Sequence, residues 1–574
     1  MRACTLSNPI VIEKKRFCLS AGFFATVLDR IAEHNASIFK MTQPDCLQKL
    51  AGGLFLFLDR RMFMLQVKKL TMHHMKDLKA IIKDLSFTVN PGDKVALIGE
   101  EGNGKSTLLK WINRDLSIDS YIQAEGTLVN HFSKTIYLPQ ALPADKHNLT
   151  LDAFFFGVED ALEIDYQLLY QTVTKMGFDP DRLTSSQLLR DLSGGEKVKI
   201  QLLKILAQNP DLLLLDEPSN DLDLQTVQWL EDFIKTSPLT ILFISHDESL
   251  LKATATKVIQ LELLRHKTIP VATVSSLSYE EYQNEKENKF ETQTRIASKQ
   301  REEYQKQMAR HQRIESSVHD AQKSVSRQEP GVARLLKKKM HTVKAMGKRF
   351  EREKDNFEDI PIKEDAILMK FSNTKELPDG KTIIHLDQTS VSFEGKTLVT
   401  HLSLHLKGKQ KVGIIGQNGI GKSTWLKQLW EEMRDRKDIY TGYMPQNYLD
   451  ILPAEETPLT FLNESGDWEE KTKVMTYLGS MRYTHEEMTH PIKALSGGQQ
   501  AKLLLIKIDL TGQNVLLLDE PTRNFSPLSQ RELRTLLRSF PGAILTVSHD
   551  RTFLREVCEV VYEMTATGLK EIQI

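Results

Sequence analysis

The chain has 574 residues, more than one hydrophobic core usually organises, so several domains are expected and a mini-protein is excluded. Lys plus Arg and Asp plus Glu both number 76, so any affinity for nucleic acid must come from a local patch and not from the field of the whole chain. At 40% hydrophobic and 26% charged residues the composition is globular, too apolar for a disordered chain and too polar for a membrane bundle.

Along the chain, Lys14, Lys15 and Arg16 followed by the apolar stretch Phe17 to Leu28 imitate a secretory signal, but no small-x-small cleavage site follows. The richest apolar run, Leu54 to Leu58, is stopped by Asp59, Arg60 and Arg61, far short of the roughly 20 residues that span a bilayer. Cys4, Cys18 and Cys46 lie near the start and Cys558 stands alone, which is neither a disulfide framework nor a metal-ligand spacing, so a reducing, cytoplasmic setting is expected. Residues 1–63 read either as a short, poorly packed N-terminal extension or as a start placed upstream of the true one. MLQVKKL, from Met64, reads as the first ordinary β-strand.

From there an internal repeat organises the chain. LSGGE at 192–196 recurs as LSGGQ at 495–499, LLLLDEP at 212–218 as VLLLDEP at 515–521, and ISHD at 244–247 as VSHD at 547–550. The offset is constant, since 496 − 193, 519 − 216 and 549 − 246 all equal 303. Upstream, GEEGNGKST at 99–107 pairs with GQNGIGKST at 416–424, and YLPQ at 137–140 with YMPQ at 443–446. Two copies of one α/β domain are therefore expected.

Each glycine-rich segment follows an apolar run, Val95–Ile98 or Val412–Ile415, that reads as a buried strand, and it opens a helix. That is a P-loop. Gly99, Gly102 and Gly104, and in the second copy Gly416, Gly419 and Gly421, let backbone amides turn inward around phosphates. Lys105 or Lys422 reaches the β and γ phosphates, Ser106 or Ser423 ligates Mg²⁺, and Thr107 or Thr424 completes the loop. Asp216 and Asp519 end apolar strands and are expected to hold Mg²⁺ through water, while Glu217 and Glu520 polarise the attacking water. His246 and His549 end another apolar strand, where an imidazole can contact the γ-phosphate. Gln140 and Gln446 are expected to sense Mg²⁺ and that water. The expected cofactors are thus ATP and Mg²⁺, and the expected activity is ATP hydrolysis.

Taken together the motifs resemble those of the ATP-binding cassette (ABC) ATPases, whose signature is LSGGQ. The resemblance covers nearly everything from residue 64 onward. It implies that the cassettes close head to tail around two ATPs, one site pairing the Lys105 P-loop with Ser496, Gly497 and Gly498, the other pairing the Lys422 P-loop with Ser193, Gly194 and Gly195. After the first DEP comes SNDLD, close to the family's D-loop, whereas the second copy reads TRNFS and has Ser526 in place of Asp223. The site built on Lys105 is accordingly expected to be the slower one. Phe393 is expected to stack on adenine in the second cassette, and the matching stretch around His73 to Lys76 offers no equivalent aromatic.

Between the cassettes, Tyr279 to about Phe357 is charged and nearly free of Gly and Pro until Pro330-Gly331, which predicts two helices around a tight turn. Met308, Ile314, Val318 and Val325 on the first, and Val332, Leu336, Met340, Val343 and Phe350 on the second, predict an antiparallel coiled hairpin with a second helix of about 25 residues. From Tyr304 to Arg349 there are 12 Lys and Arg against 3 acids. A basic hairpin between cassettes resembles the ABC-F proteins, in which it enters the ribosome and touches P-site tRNA. That resemblance places Lys323, Arg327, Arg334, Lys337, Lys338 and Lys339 on RNA phosphates. The spans from Gln140 to Ser193 and from Gln446 to Ser496 are 53 and 50 positions, so no helical arm is inserted, and no C-terminal coiled extension is read. Both features are similar to the antibiotic-resistance and Gram-positive branches. The expected layout is an extension over 1–63, cassette 1 over 64–277, a helical-hairpin linker over 278–362 and cassette 2 over 363–574, with no integral membrane segment and no obligate homodimer. The rival reading is the ATPase subunit of an ABC transporter with a separate permease.

Overall fold

Short apolar runs without polar alternation become strands buried on both faces. In the computed structural model, which describes residues 64–157, 164–219, 222, 224–264, 269–324, 330–354, 357, 369–393, 396–463 and 466–573, the duplicated motifs lie on just such strands. In cassette 1, β1 (Leu65–His74), β2 (Ala80–Val89) and β4 (Ile122–Asn130) form an antiparallel sheet, ordered β2-β1-β4. A second sheet runs β5-β6-β7-β3-β8-β9, built from β3 (Lys94–Ile98), β5 (Thr135–Leu138), β6 (Leu212–Asp216), β7 (Thr240–Ile244), β8 (Lys257–Leu263) and β9 (Ile269–Ser275). All its pairings are parallel except β8 with β9.

Cassette 2 repeats that order. Its main sheet is β13-β14-β15-β12-β16-β17, from β12 (Lys411–Gly416), β13 (Thr441–Met444), β14 (Val515–Asp519), β15 (Ala543–Val547), β16 (Val560–Thr565) and β17 (Gly568–Ile572). Successive residues of β14 and β15 serve different cores, Leu516, Leu518 and Ile544 on one face and Val515, Leu517 and Leu545 on the other. Each fully buried Leu or Val contributes about 1.5–3 kcal/mol, and Thr546 of β15 is a polar residue buried among them. The antiparallel sheet is reduced to β10 (Thr382–Phe393) and β11 (Lys396–Lys407). The cause is chain length: 22 residues (113–134) separate the first P-loop helix from β5, whereas 7 (434–440) separate its counterpart from β13, and no β4 equivalent occurs among the described residues.

Each P-loop ends in a helix, α1 (Lys105–Ile112) or its counterpart in cassette 2, and the signature opens α2 (Gly194–Ala207) in cassette 1. Two further helices of cassette 1, α3 (Leu224–Thr236) and α4 (Glu248–Thr254), and the linker helix α5 (Tyr279–Ser324) matter below. The linker returns in α6 (Pro330–Lys354), and cassette 2 adds α7 (Lys422–Met433), α8 (Gly497–Leu510), α9 (Pro527–Arg538) and α10 (Arg551–Val557).

At 46 and 25 residues, α5 and α6 reach about 69 and 38 Å at 1.5 Å per residue. Their seam differs in part from the apolar pattern. Val318 and Val343 are buried and Met308, Leu336, Met340 and Phe350 half-buried, but Ile314 and Val332 face solvent at 37% and 43% exposure. The place expected for Ile314 is taken by His311, which is buried, bonds the Val343 carbonyl through Nε2 at 2.7 Å and packs edge-on against Phe350. The ring fits because it faces Gly347, where a Cβ would sit 3.1 Å from it. Val325 and Arg327 lie outside the described residues. The root of α5 touches both cassettes: Tyr282 donates to Gln260 and Lys286 pairs with Glu262 in cassette 1, while Glu287 pairs with Arg531 in cassette 2 at 2.9 Å.

The cassettes face each other through the ends of α4 and α10. Ser249 Oγ and Thr552 Oγ1 hydrogen-bond at 3.2 Å, and since 552 − 249 is again 303, equivalent residues meet on an internal two-fold axis. Flanking it, Arg534 bonds Glu248 of cassette 1 at 2.6 Å and Glu556 of its own cassette at 2.8 Å, and Arg551 bonds Glu231 at 2.6 Å.

Candidate active sites

The two P-loops open on cavities that combine both cassettes. Around the second P-loop, a cavity of about 610 Å³ gathers Gly419, Gly421, Lys422, Ser423, Thr424, Gln446, Asp519, Glu520 and His549, together with Ser193 and Gly194 from cassette 1. Around the first, a cavity of about 390 Å³ gathers Gly102, Gly104, Lys105, Ser106, Thr107, Gln140, Glu217 and His246, with Arg523 and Asn524 from cassette 2. Ser496, Gly497 and Gly498 are not part of that lining. Gly498 does reach the first P-loop, its amide donating to Glu101 Oε2 at 3.4 Å.

The signature motif makes its own helix start. Ser193 accepts the Glu196 amide at 3.3 Å while Glu196 accepts the Ser193 amide at 3.0 Å, a reciprocal cap that Ser496 and Gln499 repeat in α8. Gly195 lies buried in the first turn of α2, off the cavity wall. In the second copy the glycines also have a packing reason, because a Cβ on Gly498 would stand 2.8 Å from the Asn524 carbonyl. Gly99 and Gly416 stay off the cavity walls for a similar reason: a Cβ there would meet Leu261 O at 2.3 Å and Met564 O at 2.6 Å.

Around each P-loop the polar groups are already coupled. Lys105 Nζ donates to the carbonyls of Gly99 and Glu100 at 2.8 Å, and Lys422 Nζ to those of Gly416 and Gln417 at 2.7 and 3.0 Å. Ser106 Oγ donates to Asp216 Oδ1 at 3.0 Å, and Tyr137 donates to the other carboxylate oxygen at 2.9 Å. Gln140 donates to Glu217 at 2.9 Å, and His246 Nε2 lies 3.1 Å from that carboxylate. Across the boundary His246 Nδ1 bonds the Phe525 carbonyl at 3.0 Å, which requires the proton on Nδ1. His549 is looser, with Nε2 3.9 Å from Glu520 and its amide donating to Glu520 at 3.3 Å.

Glu217 and Glu520 both hold φ at 50°, a left-handed backbone that costs a side-chain-bearing residue about 1–3 kcal/mol. The next strand fixes it, since the Glu217 amide donates to Ile244 O at 3.1 Å and the Glu520 amide to Val547 O at 2.9 Å. Burial raises Asp216 and Asp519 above their ordinary value and pushes Glu520 up to about 8, with Asp519 beside it adding repulsion. Burial lowers Lys105, against the pull of Glu217, Glu101, Glu100 and Asp216. Such a set of buried carboxylates asks for a cation. Asp519 Oδ1 is buried without a hydrogen-bond partner, and Ser423 bonds the same carboxylate, so Ser423 with Asp519, and Ser106 with Asp216, fit Mg²⁺ and a triphosphate.

One sequence expectation changes here. An aromatic does lie at the first site: Tyr121, brought in by the loop before β4, lines the cavity beside His74. Its signal was weak because it lies in an insertion that the second copy lacks. The Phe393 side chain and Asp223 lie outside the described residues.

The family model described as ABC transporter matches residues 82–220 and 399–523, one span in each cassette. Over 520 residues the chain is 28% identical to the probable ATP-binding protein YheS of Escherichia coli strain K12, covering 85% of this chain and 77% of that one. It is 25% identical over 536 residues to ABC transporter F family member 5 of Arabidopsis thaliana, covering 84% and 72%. The chain carries two ABC ATPase cassettes and resembles the ABC-F proteins. It is also 29% identical over 521 residues to the ribosome protection protein VmlR of Bacillus subtilis, covering 87% and 86%. A solved complex of the archaeal ribosome recycling factor aABCE1 with the stalk protein aP1 shares its fold, with a TM-score of 0.52 at 15% identity over 88% of this chain and 89% of that one. Among the described residues no helix is long and apolar enough to cross a membrane.

Proposed function

We propose that the protein is a cytoplasmic, ribosome-associated ABC-F ATPase whose hairpin approaches P-site tRNA and protects the ribosome from antibiotics that act there. The observation that carries this reading is the hairpin itself: a basic probe rooted in both cassettes, through Tyr282 and Lys286 on one side and Glu287–Arg531 on the other. Closure of the cassettes therefore moves its base. Lys323, Arg334, Lys337, Lys338 and Lys339 are all exposed near the turn, where they can neutralise RNA phosphates. The ribosomal role is supported by the likeness to VmlR over most of both chains. The layout of extension, cassette 1, hairpin and cassette 2 at 1–63, 64–277, 278–362 and 363–574 belongs to the same proposal.

In each site the P-loop amides and Lys105 or Lys422 bind the phosphates, and the opposite signature closes on the γ-phosphate. Glu217 or Glu520 takes the proton of the attacking water, with Gln140 or Gln446 orienting it and His246 or His549 beside the carboxylate, placed to contact the γ-phosphate. Mg²⁺, held by Ser106 and Asp216 or by Ser423 and Asp519, neutralises charge on the phosphates when bound.

The test is sedimentation with ribosomes of the ATP-trapped Glu217→Gln, Glu520→Gln chain over a range of salt. Replacing Lys337, Lys338 and Lys339 by Gln should weaken pelleting and flatten the logarithmic salt slope by up to about two units. Basal ATP hydrolysis of the triple variant on the otherwise unaltered chain should persist. Pelleting identical to the unaltered hairpin at every salt concentration would refute the role of this face and favour a transporter ATPase.

A further inference from the structure

The P-loops differ where they face the opposite cassette. Cassette 1 carries Glu100 and Glu101 where cassette 2 carries Gln417 and Asn418. Both glutamates reach across: Glu101 Oε2 accepts the Gly498 amide at 3.4 Å, and Glu100 Oε1 accepts Ser529 Oγ at 3.0 Å. Gly498 lies in the first turn of α8, a helix of 14 residues, whose leading amides have no intrahelical acceptor and present the positive end of the dipole. An anion is the natural partner of such amides. In this structure that anion is a side chain of the P-loop.

The cavities carry the same asymmetry independently. At the second site, Ser193 and Gly194 of the opposite signature line the space above the P-loop. At the first, Glu101 lines a cavity smaller by about 220 Å³ (610 − 390), and cassette 2 contributes Arg523 and Asn524 in place of its signature. Glu101 thus stands between the P-loop and the amide of Gly498.

We propose that Glu101 is a tethered anion that occupies the Gly498 amide in place of the γ-phosphate, so that ATP enters the first site fully only by displacing a carboxylate that the second site lacks. The inference rests on the pairing of each P-loop with the opposite signature. The γ-phosphate and the carboxylate compete for one donor. ADP ends at the β-phosphate and leaves that donor to Glu101. Glu101 therefore sets how strongly the first site distinguishes ATP from ADP, and it satisfies the interface when no triphosphate is present.

The test uses the full chain carrying Glu217→Gln and Glu520→Gln, with ATP or ADP and Mg²⁺ titrated calorimetrically. The unaltered P-loop should show two classes of ATP site, the weaker one abolished by Lys105→Ala. Glu101→Asn, which copies the residue at Asn418, and Glu101→Gln should each tighten the weaker class about tenfold for ATP and change ADP by less than about twofold. ATP affinity unchanged in both variants, or equal tightening of ATP and ADP, would overturn the proposal while leaving the paired sites intact. Absence of ATP binding in the parent, or loss of both classes with Lys105→Ala, would overturn the paired-site reading as well.

Discussion

Arg534 is 2% exposed at the cassette boundary, held between Glu248 of the other cassette and Glu556 of its own. Removing one partner of a buried ion pair costs about 3–5 kcal/mol, because the remaining charge is left in a poor solvent. Glu248→Gln keeps the shape and one acceptor, and Glu556, which is 44% exposed, still offsets part of the guanidinium charge. We therefore expect a loss of about 2 kcal/mol in closure, a factor of about 30 in the closing equilibrium. Fluorescence energy transfer between one dye on each cassette, followed against ATP concentration in the Glu217→Gln, Glu520→Gln background, measures that equilibrium. Arg534→Met supplies the second edge of a double-mutant cycle, and its partner Glu248 then retains Lys252 at 2.9 Å. The coupling energy should be about 2 kcal/mol. A coupling below about 0.5 kcal/mol would show that the contact is incidental to closure.

Replacing both Glu217 and Glu520 by Gln should lower steady-state ATP hydrolysis about 10²- to 10⁴-fold while leaving nucleotide binding in place, and near-parental turnover would remove both residues from the chemistry. Burial, reinforced by Asp550 across the boundary, pushes Asp247 up to about 6 despite the Ser249 and Leu250 amides and Arg551. The folded protein therefore binds a proton the unfolded chain releases, and stability falls as pH rises from about 4 through 6. Asp247→Asn keeps the helix cap, so it should raise thermal stability by about 1 kcal/mol at pH 7.5 and little at pH 4; an equal change at both would exclude charge as the cause. Gly347→Ala pushes a methyl against the pinned His311 ring and should destabilise the hairpin by about 1 kcal/mol despite better helix propensity, read as faster amide exchange over α5 and α6 with the cassettes unaffected.

The chemistry of each P-loop was legible because it is local: a strand, a glycine turn and a helix start lie within 12 residues, 94–105 and 411–422. The parallel sheets were legible for a related reason, since strands such as LLLLD and VLLLD leave no polar face. What escaped the sequence depends on partners distant along the chain. His311 replaces Ile314 in the seam only because Gly347, 36 positions on, leaves room for its ring (347 − 311). Tyr121 reaches the first cavity through an insertion with no counterpart to align against. The Glu101–Gly498 contact spans 397 positions and exists only when two cassettes face each other.

The boundary also decides which surfaces recognise each other. By the 303-residue offset, Arg534 is the counterpart of Glu231, and Arg551 of Glu248. The two copies have thus diverged in opposite senses, cassette 1 carrying acids and cassette 2 arginines at the same two positions. Two first cassettes from different molecules would bring Glu231 onto Glu248, and two second cassettes Arg534 onto Arg551, and like charges so placed reject the match. The remaining complementary match, first with second, is favoured within one chain because a tether holds the two surfaces at a local concentration that can reach millimolar. Duplication followed by this segregation of sign converts a surface suited to self-association into one that each molecule satisfies alone.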